Sequence, residues 1–161
     1  TTNANNNYAA SDGACPGLFG GKGSASNDEV VAFTAPVTGT YHIEVTGFDA
    51  ALYVVTDCAD IDNTCLGGAD NAGAGTEALD LPLTAGTTYF IIVDGYSNFS
   101  NTAGSYTLTI DEPCIPACDG KECGDDGCGG VCGTCEGETI CSAEGTCCRA
   151  QGRATVGRHR S

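Results

Sequence analysis

Nine cysteines fall within the 35 residues from Cys114 to Cys148, in a stretch that is rich in glycine and contains no aromatic residue. Such a segment cannot bury enough apolar surface to hold one shape through a hydrophobic core, so crosslinks or a metal must hold it. Glycines, which tolerate positive φ, let the chain close the tight loops that crosslinks demand. The whole chain of 161 residues carries 12 Cys but neither Met nor Trp. Thiols this frequent persist as disulfides only where glutathione does not reduce them, which places the chain in an extracellular or cell-surface compartment. Zinc is the competing use of the same residues. Cys132 and Cys135 have the spacing of half a zinc site, and Cys114 with Cys118 is a candidate for the other half. Four ligands would still leave five of the nine thiols unexplained, so disulfides are the expectation.

Three cysteines lie outside this stretch. Cys58 and Cys65 bracket six residues after a strand, and a local bridge between them is the plain expectation. Cys15 then needs a partner among the nine. Cys148 is the natural choice, because the eight cysteines Cys114, Cys118, Cys123, Cys128, Cys132, Cys135, Cys141 and Cys147 can then pair internally. Eight cysteines admit about 105 connectivities, among which the sequence does not choose. An intermolecular bridge through Cys15 is the alternative.

Charge is as lopsided as the cysteine distribution. Residues 1–148 hold two basic residues against 21 acidic ones, and Arg149, Arg153, Arg158 and Arg160 form a basic tail. An acidic body repels phosphate backbones and anionic lipid, which argues against nucleic acid and membrane as partners. No run of 18 apolar residues is present, so no membrane insertion through a helix is expected. The first residues, TTNANNNY, lack the charged and apolar regions of a signal peptide.

Between residues 28 and 111 the pattern is that of short strands. Tyr41, Ile43 and Val45 alternate with His42, Glu44 and Thr46, giving a half-buried strand. Leu79, Leu81 and Leu83 share one face, as do Tyr106, Leu108 and Ile110, while Pro82 marks an edge strand or a bulge. Residues 30–36, 51–57 and 88–95 are more continuously apolar, as strands covered on both sides are. Gly67-Gly68 reads as one of several turns. No 3.6-residue period is sustained long enough for a helix. The expected fold is an all-β, antiparallel, jelly-roll-like sandwich of about six to eight strands over 28–112. Residues 1–27 form an N-terminal extension packing on it, 113–148 a small irregular disulfide module, and 149–161 the basic tail.

The succession NDEVVAFTAP, GTYHIEVTG, FDAALYVVTDC, LTAGTTYFIIVDG and GSYTLTI resembles the bacterial pre-peptidase C-terminal domain family, over about residues 27–110. That family is a jelly-roll-like sandwich attached to secreted proteases and other exported proteins. The resemblance implies an accessory module without catalysis of its own, and calcium only as in the collagen-binding members, whose ligands do not carry over to this chain. The pattern from Cys114 to Cys135 resembles the Cys/Gly-rich repeats of secreted bacterial proteins.

Calcium is also suggested by the residues themselves. Asp57, Asp60, Asp62 and Asp70, with Asn63 and Asn71, fall within 15 residues, and hard oxygen ligands at that density suit Ca²⁺. Asp28, Glu29 and Asp94 are contributors from adjoining turns. The spacing matches neither an EF-hand nor a GGxGxD repeat, and no cofactor is required by any motif. GLFGGKGS has Pro16 where a phosphate loop needs its first Gly. His42 and His159 lack a nucleophile nearby in sequence, and GxSxG is absent, so no enzyme is expected. Tyr96 and Phe99 are the best exposed aromatic pair for a glycan. The functional expectation is a non-enzymatic extracellular structural or interaction protein that self-assembles into a surface polymer or filament or binds another extracellular protein. The alternative is an accessory module targeting a secreted hydrolase to a protein or glycan polymer.

Overall fold

A computed structural model describes residues 8–20, 22–71, 73, 75–97 and 102–149. The chain divides into two compact units, residues 1–113 and 114–161. Arg153, Arg158, Arg160 and Phe99 lie outside the described residues, so nothing is drawn from their placement.

The first unit contains β1 (Asp28–Thr34), β2 (Gly39–Thr46), β3 (Ala50–Val55), a single helical turn α1 (Ile61–Thr64), β4 (Cys65–Ala69), β5 (Thr76–Leu83), β6 (Thr88–Gly95) and β7 (Thr107–Asp111). Two antiparallel sheets result, β1-β6-β3-β4 and β5-β2-β7. Only the β3–β4 connection stays within one sheet; every other one crosses between the two, as in a Greek-key sandwich. Pro82 sits on β5, an edge strand, the position in a sheet where a residue without an N–H is tolerated.

Strand periodicity builds the core. Tyr41, Ile43 and Val45 of β2 meet Leu52 and Val54 of β3, Leu81 and Leu83 of β5, and Ile91 and Val93 of β6 between the sheets. The alternate residues of β3 and β6, namely Ala51, Tyr53, Val55 and Ile92, point to the far side, where Tyr8, Ala10, Cys15 and Leu18 of the N-terminal segment cover them. Residues of both parities are therefore buried in these two strands, which is why they read as continuous apolar runs.

Two sequence expectations change. Gly67 and Gly68 lie within β4 rather than in a turn. Gly68 donates its N–H to the Pro16 carbonyl at 2.7 Å, and a Cβ there would strike Leu18 and the Leu52 carbonyl, so the missing side chain lets the N-terminal segment lie directly on the strand. The same approach brings Cys15 to Cys65, whose Cα atoms are 5.2 Å apart in a disulfide. The expected Cys58–Cys65 and Cys15–Cys148 bridges are thus both replaced, and Cys58 and Cys148 are free thiols.

Among its described residues the second unit is irregular apart from one short hairpin, β8 (Thr139–Cys141) with β9 (Cys147–Arg149), and an isolated bridge between Asp125 and Val131. Its remaining eight cysteines pair as Cys114–Cys128, Cys118–Cys132, Cys123–Cys141 and Cys135–Cys147. The first three bridges each cross the other two in sequence, and the fourth crosses the third. No bridged loop is therefore independent of the rest.

Candidate functional site

The strand order gathers the ends of several elements at one pole of the sandwich: the start of β1, the β2–β3 turn, the end of β4, the start of β5 and the end of β6. This pole is acidic. It carries Asp28, Asp49, Asp70, Glu77 and Asp94, together with Lys22, the only Lys or Arg in residues 1–113 against 14 acidic residues.

Lys22 forms an ion pair with Asp70, both side chains largely shielded from solvent. Its Nζ also stands 5.9 Å from the centre of the Tyr96 ring, within cation–π range. Lys22, Asp49, Asp70, Gly73 and Tyr96 line a cavity of about 390 Å³. Asp49 is placed by the β2–β3 turn, where its carbonyl accepts the Tyr96 N–H at 3.4 Å. Burial holds its carboxyl above the usual range, Asp70 adding to the effect and Lys22 opposing it.

Glu77 is the least expected member. It pairs with Val45 in the β2–β5 register and has the parity of Leu79, Leu81 and Leu83, so its side chain points inward and is fully buried. One carboxylate oxygen, Oε2, accepts the Asn71 N–H at 2.5 Å, whereas Oε1 is buried with no hydrogen-bond partner among the described residues. Asp49 Oδ1 is in the same position. Burial raises the Glu77 pKa, the Asn71 bond lowers it, and the nearby charges of Asp70 and Asp49 raise it further.

A second acidic pair lies at this pole on the face under the N-terminal segment. Asp28 and Asp94 are opposed in the β1–β6 register, and both are buried. Asp28 accepts the Tyr8 N–H at 2.8 Å, and Asp94 accepts the Tyr53 hydroxyl at 3.1 Å. Burial pushes the Asp94 carboxyl up to about 8. Gly23, at φ 79°, lies so close that a Cβ would fall on the Asp94 carboxylate, so this contact requires glycine. Glu29, the next residue of β1, has the opposite parity and bonds the Tyr106 side chain on the other face.

The expected acidic loop does not assemble as a unit. Asp57, Asp60 and Asp62 lie beyond the Val55 end of β3, while Asp70 follows the far end of β4, about 15 Å away at ~3.3 Å per residue. Their oxygens serve the local structure instead. Asp57 accepts the Ala59 N–H at 2.8 Å, Asp60 accepts the Asn63 amide at 2.8 Å, and Asp62 accepts the Ser11 N–H at 2.9 Å and its hydroxyl at 2.5 Å. The Ser11 bonds hold the Asp62 carboxyl below its usual range and pin the N-terminal segment to α1.

In the second unit, sulfur atoms of Cys123, Cys135 and Cys141 lie within 4.8 Å of one another. All three are consumed by the Cys123–Cys141 and Cys135–Cys147 bridges, and Cys114, Cys118 and Cys132 by others, so the two half-sites considered for zinc are cystines. Of the interaction candidates, Tyr96 is partly exposed and packs under Lys22, and Arg149 is exposed with Glu138 at 3.7 Å. His42 sits on the outer face of the three-stranded sheet, bonded to Asp80 at 2.7 Å. Sequence reasoning missed Lys22, Asp49 and Glu77. The signal for Glu77 was present, since it continues the inward parity of three leucines.

Five disulfides require maturation in an oxidising compartment, and among the described residues no helix is long and apolar enough to cross a membrane. Comparison of the chain with family models, with curated proteins and with solved structures gives no match.

Proposed function

We propose that the protein is a non-enzymatic extracellular structural or interaction protein whose partner is a basic protein surface, including the arginine tail of a second copy. One observation carries the reading: residues 1–113 hold 14 acidic residues and a single lysine, and that lysine is spent inside the fold on Asp70. Asp28, Glu77 and Asp94 are buried and Asp70 is paired with Lys22, so the sandwich is left with ten other acidic residues and no lysine or arginine to balance them. A rigid body of one sign attracts opposite charge and steers its approach. Arg149, Arg153, Arg158 and Arg160 supply such charge on the same chain, and an acidic sandwich surface meeting the basic tail of a second copy is a head-to-tail contact, which propagates into a filament unless its rotation closes a ring.

Light scattering of the full chain across a salt series tests this. Assembly should be present at low ionic strength, fall as salt rises, and vanish on truncation after Cys148. A chain that stays monomeric at all salt concentrations, or one whose assembly survives the truncation, overturns the reading.

A further inference from the structure

We propose that the pole of the sandwich formed by Asp49, Asp70 and Glu77 is a Ca²⁺ site in which Lys22 acts as an exchangeable internal counter-ion. The inference stands apart from the proposed function and from the Asp57–Asp62 loop. Asp49 and Asp70 line a cavity of about 390 Å³ from the β2–β3 turn and the end of β4, and Glu77, at the start of β5, lies within electrostatic reach of both and is tied to the Asn71 N–H next to Asp70.

The carboxylates alone would not establish a site. The pointer to a ligand is Glu77, at 0% exposure with Oε1 unpartnered, whose other oxygen is held against the Asn71 N–H directly after Asp70. Asp49 Oδ1 is a second buried oxygen without a donor. An orphaned buried carboxylate oxygen is costly unless a cation or donor answers it. Lys22 reaches Asp70 but leaves both orphans unanswered. A hard divalent ion with six to eight oxygen ligands in irregular geometry answers all three groups at once, with water and backbone oxygens completing the shell. Mg²⁺, which demands near-octahedral geometry and keeps its water, fits less well.

Exchange is part of the proposal. With Asp70 drawn to Lys22, the three carboxylates do not each bring an oxygen within 4.8 Å of the other two. Release of Lys22 frees Asp70 to close on the ion. The lysine and the calcium therefore compete for one carboxylate.

Scanning calorimetry of the full chain with CaCl₂ against EDTA reads the effect. Tyr-sensitised Tb³⁺ luminescence reads binding directly, since Tyr96 lines the cavity. Saturating calcium should raise Tm by about 5 °C or more. Glu77→Gln should abolish both the shift and the luminescence; should that variant not fold, Asp49→Asn, at a half-buried position, should weaken both. Lys22→Gln should lower the calcium needed by about tenfold, because it removes the competing charge. No effect of calcium, or a shift kept by both carboxylate variants, overturns the site. So does weaker binding in Lys22→Gln, or a shift lost instead in a combined Asp57→Asn, Asp60→Asn, Asp62→Asn variant.

Discussion

The two units solve the same problem with different chemistry. In the sandwich, Tyr41, Ile43, Leu52, Tyr53, Ile91 and Val93 are fully enclosed and one disulfide is added at the margin. In the Cys-rich unit the apolar side chains Ile115, Val131 and Ile140 are 61%, 67% and 59% exposed, and the buried side chains among its described residues are the half-cystine Cys123 and Asp126. A core gains free energy from water leaving apolar surface, and interlaced bridges gain it by restricting the unfolded chain. The first mechanism tolerates a reducing agent and the second does not.

Reduction is therefore the severest test of the contrast. In reducing buffer, hydrogen exchange followed by mass spectrometry should show near-complete loss of protection across 114–149, whereas amides of β3 and β6 stay protected. Loss of protection in both units together would mean that the sandwich, too, depends on sulfur. Next in size is the reciprocal perturbation. Ile91→Ala removes a fully enclosed side chain and should cost the sandwich about 2–5 kcal/mol in denaturant melts. Val131→Ser in the other unit should change stability by less than ~0.5 kcal/mol. Equal costs would erase the distinction.

Asp94 sharpens the comparison through pH: the Cys-rich unit buries a carboxyl too, Asp126, but the Cys128 and Gly130 N–H groups answer it at 2.8 and 2.9 Å, whereas Asp94 Oδ1 is buried with no hydrogen-bond partner among the described residues. Its folded pKa, pushed up to about 8, lies above the ~3.9 of an unfolded Asp. The neutral form is the one the fold prefers, so its stabilisation is complete below pH ~4 and is lost as pH rises through about 8. The Tm of the sandwich should fall over that window, and Asp94→Asn should flatten the fall. A Tm in the variant with unchanged pH dependence would show that another group is responsible.

Much of this fold was legible in the residues, and the reasons differ by region. Period-2 alternation declared β2, β5 and β7, and unbroken apolar runs declared β3 and β6, because each reports directly which faces are covered. The cysteine count declared the second unit as crosslinked, with Cys114 to Cys147 pairing among themselves. What stayed hidden depends on long-range approach. Gly67-Gly68 carries turn chemistry, yet its lack of side chains serves contact with Pro16 and Leu18, some 50 residues earlier, and that contact selects Cys15 over Cys58 as the partner of Cys65. The acidic pole was hidden for the same reason. Density along the chain singled out Asp57 to Asp70, whereas the fold brings together Lys22, Asp49, Asp70 and Glu77 from four separate segments.

The smallest expected effect is also the most local, since each unit keeps one free thiol. Cys58 is half-buried, and its thiol is pushed up first by burial and then by the charge of Asp57, so little thiolate is present near neutrality. Cys148 is exposed on β9, beside a cysteine already committed to a bridge. Alkylation of the native, unreduced chain near pH 7.5 should label Cys148 first and Cys58 at least about tenfold more slowly, with little change in Tm from either label. Peptide mapping after timed quenching separates the two rates. Equal rates would mean that the β3–α1 loop opens as readily as the surface of the Cys-rich unit. The enclosure of the sandwich would then stop at β3 and not extend to the residues that follow it.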